Sequence, residues 1–260
     1  MAIPLARVRM TVAYDGTDFR GFAPNADVST VGASLSATIE KVLDHPVTLV
    51  CAGRTDAGVH AWGQVVSFDA PAVGLDLDQL ARSINQLSDG VISVREPQVV
   101  DPDFDARFSA RGRIYRYTIM NRPEPDPFLA RTAWHVDQPL DIHLLRLACD
   151  PLIGLHDFSS FCRLKQMKPA QTAAGEKPPI PMRRITDARW HDLGDGILLF
   201  EIEARAFCQQ MVRSIVGTVV EVGLNRRTPA DVRSILLARD RRVAGQLAPP
   251  RGLCLWRVLY

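Results

Sequence analysis

The order of hydrophobic periodicities constrains this chain of 260 residues more than any single motif does. In "LARVRMTVAY", Val8, Met10, Val12 and Tyr14 alternate with other residues as in a half-buried strand, and "DGTD" then supplies turn chemistry. Val31, Leu35, Ile39 and Val42 recur at helical spacing, with Ser29 or Thr30 available as the cap. "VTLVCA" and "AWGQVVSFDA" read as strands, and "LDLDQLARSINQL" as a helix with Leu77, Leu80, Ala81 and Ile84 on one face. "GVISVREP" reads as another strand. The resulting order β-α-β-β-α-β predicts a ferredoxin-like, or split βαβ, unit: an antiparallel sheet covered on one face by two helices.

The rest of the chain follows the same logic without repeating the sequence. "RIYRYTIM" and "TAWHV" read as strands, followed by a helix from Asp141 to about Ile153. "RRITDARWHDL" and "GILLFEIEARAF" are strands joined around "LGDG", a hairpin signal. "CQQMVRSIVGTVVEVG" is a helix with Met211, Ile215 and Val219 stacked, ended by Gly223. A short helix starts at Thr228 and Pro229, and the strand "CLWRVLY" closes the chain. The expected fold class is therefore α+β: two ferredoxin-like halves with antiparallel sheets in a pseudo-two-fold arrangement, residues 1–109 and 110–260. The active-site cleft is expected between them, since ligands favour domain junctions. The proline- and lysine-bearing stretch at 163–182 reads as a long loop, of the sort that often carries function.

A hydrophobic content of 47% with 23% charged residues is that of an ordinary folded protein. No stretch reaches the roughly 18 to 20 apolar residues of a membrane helix, and the start lacks a charged segment followed by an apolar core. A cytoplasmic location without membrane association is the expectation. The five cysteines are odd in number and scattered, so neither a disulfide framework nor a zinc site is expected. The net charge of +2 hides an asymmetry: 8 Lys and Arg face 14 Asp and Glu up to residue 107, and 23 face 15 beyond it. The positive residues concentrate in "CRLKQMK", "MRR", "LNRRTP" and "ARDRR", as on a surface that meets nucleic acid; a solvated basic face would look the same.

The stretch "CAGRTDAGVHAWGQVVSFD" sets Asp56 between two glycines, next to an arginine two residues away, on a loop between two strands. An aspartate there can simply cap a turn through its own backbone amides. Alternatively, Arg54 could pair with the carboxylate and keep it ionised, below its reference pKa of about 3.9, as a nucleophile or general base. No second carboxylate at metal-binding spacing, no G-x-x-x-x-G-K-[ST] loop and no G-x-G-x-x-G turn accompanies it. Metal-assisted, nucleotide-hydrolysing and dinucleotide-dependent chemistry therefore lose support.

"AGRTDAGVHA" resembles the signature of the tRNA pseudouridine synthase A (TruA) family. "YDGTDFRGF", "DFDARFSA", "RIYRYTI", "GLHDFSSF" and "AFCQQMVRSIVGTVVEVG" follow in that family's order, so the resemblance spans nearly the whole chain. It implies isomerisation of uridine to pseudouridine at positions 38 to 40 of the tRNA anticodon stem-loop, by a homodimer that uses neither metal nor small-molecule cofactor. Asp56 matches the catalytic aspartate. Tyr115 matches a tyrosine whose ring can stack on the target base and whose hydroxyl lies where C5 loses its proton. Arg213 matches an arginine near the catalytic aspartate, and Arg54 one that helps to extrude the base by taking its place.

Without the resemblance, Tyr115 reads first as a core aromatic on a strand, and Arg54 can be a surface ion-pair partner. Two rival readings are a catalytically inactive tRNA-binding protein and a metal-dependent RNA hydrolase with Asp56 as ligand. The sequence departs from the family pattern at Ala23 to Asn25, at Gly32 and in "FCQQMVR", positions expected on RNA-contact surfaces.

Overall fold

The computed structural model describes residues 4–164 and 180–260, so most of the 163–182 stretch lies outside the described residues. The chain divides into two compact units, Met1–Ile114 with Cys254–Tyr260, and Tyr115–Leu253. In chain order the elements are β1 (Leu5–Tyr14), α1 (Val31–Leu43), β2 (Val50–Cys51), β3 (His60–Pro71), α2 (Leu77–Leu87), β4 (Ile92–Val100) and β5 (Gly112–Met120). There follow β6 (Trp134–His135), α3 (Ile142–Leu147), β7 (Gly154–Asp157), β8 (Met182–Asp192), β9 (Ile197–Ala204), α4 (Met211–Gly223), α5 (Pro229–Ala238) and β10 (Leu253–Leu259). The architecture is mixed α+β, with mostly antiparallel strand pairs.

In the first unit the strands run in the order β4-β1-β3-β10, and β2 also pairs with β3. The β1–β3, β1–β4 and β2–β3 pairs are antiparallel. Alternation along β1 puts Val8, Met10 and Val12 on one face, opposite Phe68, Val66 and Gln64 of β3, and every one of these side chains is buried. Thr30 caps α1 by accepting from the Ala33 N–H, and Asp76 caps α2 by accepting from the Gln79 N–H. Leu35 and Ile39 of α1 and Leu80 and Ile84 of α2 are buried and supply the helical side of the core.

The opposite face of β1 carries Arg9, whose guanidinium lies 4.8 Å from the Tyr260 ring centroid and 5.8 Å from that of Phe104. There two hydrogen bonds hold Ala106 of the "DFDARFSA" segment. The Ala106 N–H donates to Ser67 Oγ at 3.1 Å, and the Tyr260 hydroxyl donates to the Ala106 carbonyl at 2.7 Å. Burial holds the Tyr260 phenol well above its ordinary pKa, so it stays a donor.

The second unit has the strand order β5-β9-β8-β7, with β6 on β5. Its centre is α4, in which Arg213 and Glu221 are the only residues short of full burial. The "MVRSIVGTVVEVG" pattern predicts one apolar stripe, whereas the helix is packed on nearly every side. Along α4 runs a strap of residues 245–248. The Gly245 N–H donates to Thr218 Oγ1 at 2.9 Å, the Gln246 N–H to Glu221 Oε1 at 3.2 Å, and the Ala248 N–H to the Arg213 carbonyl at 3.2 Å. The strap fits because position 217 is glycine: a Cβ there would lie 1.8 Å from the Gln246 carbonyl oxygen.

Three expectations are corrected and one strand is added. The closing strand β10 does not belong to the second unit; from Cys254 on it lies in the first, where Cys254 and Leu255 pair in parallel with His60 and Ala61 of β3. The helix expected to reach Ile153 ends at Leu147 and resumes only as a 3-10 turn over Asp150–Leu152, because Pro151 has no N–H to donate and disfavours helix at Asp150. The four-residue strand β7, too short to show a period, pairs with β8. Finally, Cys162 and Cys208, separated by 46 residues, form a disulfide, which cysteine spacing along the sequence does not reveal.

Candidate active site

Asp56 lies on the loop between β2 and β3 in the first unit, half-buried, with Arg54 exposed and Thr55 buried beside it. The loop is braced from several sides. The Thr55 hydroxyl shares a 2.8 Å hydrogen bond with the Tyr14 hydroxyl, and the Thr55 carbonyl accepts from the Phe22 N–H at 3.1 Å. Gln64, buried in β3, donates from Nε2 to the Gly53 carbonyl at 2.6 Å and accepts the Gly53 N–H at 3.3 Å. Beyond the aspartate, the Val59 N–H donates to the Asp56 carbonyl at 3.1 Å and the Gly58 N–H to the Phe19 carbonyl at 3.2 Å. Gly58 has φ 75, a conformation that glycine adopts without steric cost, so the backbone turns sharply just past the carboxylate.

These contacts give the "YDGTDFRGF" block a physical role, since Tyr14, Phe19 and Phe22 form one wall of the aspartate's cradle. Phe22 also links the cradle to α1, because its carbonyl accepts the Gly32 N–H at 2.9 Å. Gly32 is accordingly buried against Phe22, while Pro24 and Asn25 are exposed. The departure at Gly32 thus sits in the packing behind the loop and not on an open RNA-facing surface. Buried Arg113 completes the brace: its Nη2 donates to the Ala52 carbonyl at 2.6 Å and to the Arg107 carbonyl at 3.0 Å.

Tyr115 and Arg213 are carried by the second unit. Tyr115, on β5, is buried, and its ring meets that of Phe207 edge-on, with centroids 5.2 Å apart at 88°. Arg213, in the first turn of α4, donates from Nε to the Ala248 carbonyl at 2.7 Å. Together with the bond from the Ala248 N–H to the Arg213 carbonyl, this ties residue 213 to the strap through both side chain and backbone. The helix begins at Gln210, whose φ of 64 is unusual for a residue with a side chain and aims the first turn.

Periodicity and motif reading miss Gln64, Arg113 and Phe207. Gln64 had a visible signal, an amide directly before the apolar pair Val65–Val66 of β3; Phe207 had none for its ring contact, because its partner lies on another element. Gln64→Leu is expected to leave the Gly53 peptide without its partner, a cost of about 2 kcal/mol. Loosening the loop should lower kcat more than it raises KM for RNA. Thermal melting with steady-state kinetics checks this, and a native kcat at native stability would remove Gln64 from the cradle.

A profile of the family described as "tRNA pseudouridine synthase" matches residues 10–109 and 148–260. Among curated proteins, the chain is similar to "tRNA pseudouridine synthase A" of Brevibacillus brevis, 40% identical over 257 residues that cover 98% of this chain and 100% of that one. The protein of the same name from Moorella thermoacetica is 40% identical over 255 residues, 97% of this chain and 99% of its own. That of Geobacillus kaustophilus is 40% identical over 260 residues, 98% and 94% of the two chains.

Proposed function

The chain belongs to the tRNA pseudouridine synthase family, and from that premise we propose that it isomerises uridines 38 to 40 of the tRNA anticodon stem-loop. The family makes it an isomerase acting on tRNA; the positions, the residue roles and the assembly are our reading. The observation that carries it is the braced loop that holds Asp56 half-buried between Thr55 and the turn at Gly58.

Pseudouridine formation breaks the bond between sugar C1′ and base N1, turns the base, and joins C1′ to C5. Atoms are rearranged and none is added, so one oriented carboxylate that bonds transiently to the substrate or takes its proton can serve the reaction. We assign that role to Asp56. Tyr115 stacks on the uracil, Arg54 fills the space that the extruded base leaves, and Arg213 binds the substrate from the first turn of α4, where the strap holds it. No cofactor is required. We read both units as split βαβ halves. In the first, support comes from the order β4-β1-β3-β2 with every neighbouring pair antiparallel. We also propose a homodimer acting in the cytoplasm; among the described residues no helix is long and apolar enough to cross a membrane.

The test is tritium release from tRNA carrying 5-tritiated uridine, in the presence of chelator, followed by mapping of pseudouridine in the product. Release with product confined to positions 38 to 40 supports the proposal. Binding without release would leave a tRNA-binding protein, and release elsewhere in the tRNA would change the assigned positions.

The basic residues of the second unit are not equivalent as RNA contacts. Arg227 Nε pairs with Glu221 at 2.5 Å, and Glu221 also receives the strap's Gln246 N–H, so reversing Arg227 would disturb α4. The Arg226 guanidinium donates to the exposed Gln138 side chain at 2.7 Å, while its backbone N–H, which a substitution keeps, donates to the Glu221 carbonyl at 2.9 Å. Arg226→Glu is therefore expected to weaken tRNA binding and reduce the slope of log affinity against log salt by about one, without a change in melting temperature. Filter binding across a salt series measures both, and an unchanged slope would take Arg226 off the RNA surface.

A further inference from the structure

We propose that Cys162 and Cys208 form a reversible disulfide that clamps the segment presenting Phe207 to Tyr115, so that thiol–disulfide exchange sets the turnover of the enzyme. The proposal rests on reading Tyr115 as a substrate-binding residue. The two Cα atoms lie 5.8 Å apart, within the separation that a disulfide spans without backbone movement.

The two ends of the clamp differ in how firmly they are held. Cys162 is buried and follows a 3-10 turn, Ser159–Phe161, that is rooted in the core by fully buried Phe161. Ser160 Oγ in that turn donates to the Ile235 carbonyl of α5 at 2.6 Å and accepts the Asp240 N–H at 2.9 Å. Cys208 is half-buried in the connection from β9 to α4, between Phe207 and Gln210 with its positive φ. A backbone bond from the Arg163 N–H to the Gln209 carbonyl, 3.0 Å long, lies beside the disulfide. The bridge thus fastens a connection with no regular secondary structure to an anchored turn. Phe207, next to the bridge, meets the Tyr115 ring edge-on. Phe207 is a positioning residue here, and the disulfide acts through it.

Cys51, Cys149 and Cys254 remain thiols. Burial pushes the Cys51 thiol up to about 11 and the Cys149 thiol up to about 12, so both are poor nucleophiles at neutral pH. Exchange with glutathione disulfide closes the bridge in two displacements. The thiolate of the more exposed Cys208 attacks one glutathione sulfur and expels a glutathione thiolate. The Cys162 thiolate then attacks the Cys208 sulfur and expels the second. One disulfide is broken in glutathione, one is formed in the protein, and the protein is oxidised by two electrons.

The experiment equilibrates the full chain in glutathione buffers of graded redox ratio and reads three quantities. Alkylation and mass spectrometry should show two of the five thiols lost on oxidation. Hydrogen exchange should slow in residues 205–211 of the oxidised form. Oxidation should raise kcat on tRNA about fivefold with KM within twofold, the pattern of better placement rather than tighter binding. Cys208→Ser should keep the reduced protein's kcat in every buffer, and Phe207→Leu should abolish the redox response of kcat while the bridge still forms. Five alkylatable thiols at every ratio would overturn the proposal, as would equal exchange or equal kcat in both states once the bridge has formed. Absence of turnover in all states would instead count against the assigned reaction, while thiol titration and exchange would still decide whether the clamp exists.

Discussion

Asp56→Asn is expected to abolish pseudouridine formation, with a loss of at least about 10⁴ in kcat, or roughly 5.5 kcal/mol of transition-state stabilisation. The substitution keeps the size and shape of the side chain and removes only its capacity to act as nucleophile or base. The contacts that hold the loop come from groups around it: the Thr55 hydroxyl and carbonyl, the Gly53 peptide and the Asp56 carbonyl itself. Asparagine keeps a polar side chain of the same shape in this half-buried place, so the mutant should stay folded and melt within about 4 °C of the native protein. It should also bind tRNA within a few-fold of native affinity. Tritium release, melting and filter binding on one preparation make the comparison. Residual turnover above a few per cent would show that the carboxylate is not the reacting group, and a large fall in stability would make it a turn-capping residue instead.

Gly217→Ala has the largest expected effect on stability. Alanine normally favours a helix interior over glycine by about 1 kcal/mol. Here the added methyl would lie 1.8 Å from the Gln246 carbonyl oxygen, and backbone cannot rotate aside as a side-chain tip can. The strap must move off α4, which disrupts the bonds of Gly245 to Thr218, Gln246 to Glu221 and Ala248 to Arg213, each worth about 1 kcal/mol net. Overpacking adds about 1 to 3 kcal/mol, so the clash outweighs the helix propensity by about 3 to 5 kcal/mol. The melting temperature should fall by roughly 6 to 20 °C. Because the Ala248 carbonyl also receives Arg213 Nε, kcat should fall even at temperatures where the mutant remains folded. Native melting in Gly217→Ala would mean that the strap accommodates a side chain.

Periodicity located β1, α1, α2 and α4 because each repeats its apolar residues over several turns or pleats, and caps such as Thr30 and Asp76 are local signals. It missed β7, which is four residues long, and ran α3 through Pro151, where the apolar pattern continues although the backbone cannot. At the proposed site, the sequence singled out Asp56 because the glycines and arginine that mark it stand within a few residues of it. Phe207 was not, because an edge-on contact between β5 and the connection after β9 leaves no trace in either segment alone.

The sequence by itself determined the kinds and order of most elements, the charge asymmetry and the choice of Asp56 as the aspartate we propose for the reaction. Those properties are set by neighbours a few residues apart. Only the tertiary structure decided that the last strand lies in the first unit, that Cys162 meets Cys208, and that Gln64 and Arg113 brace the loop of Asp56. These pairings join distant segments, and most act through backbone N–H and C=O groups, which every residue but proline carries and no side-chain pattern can mark.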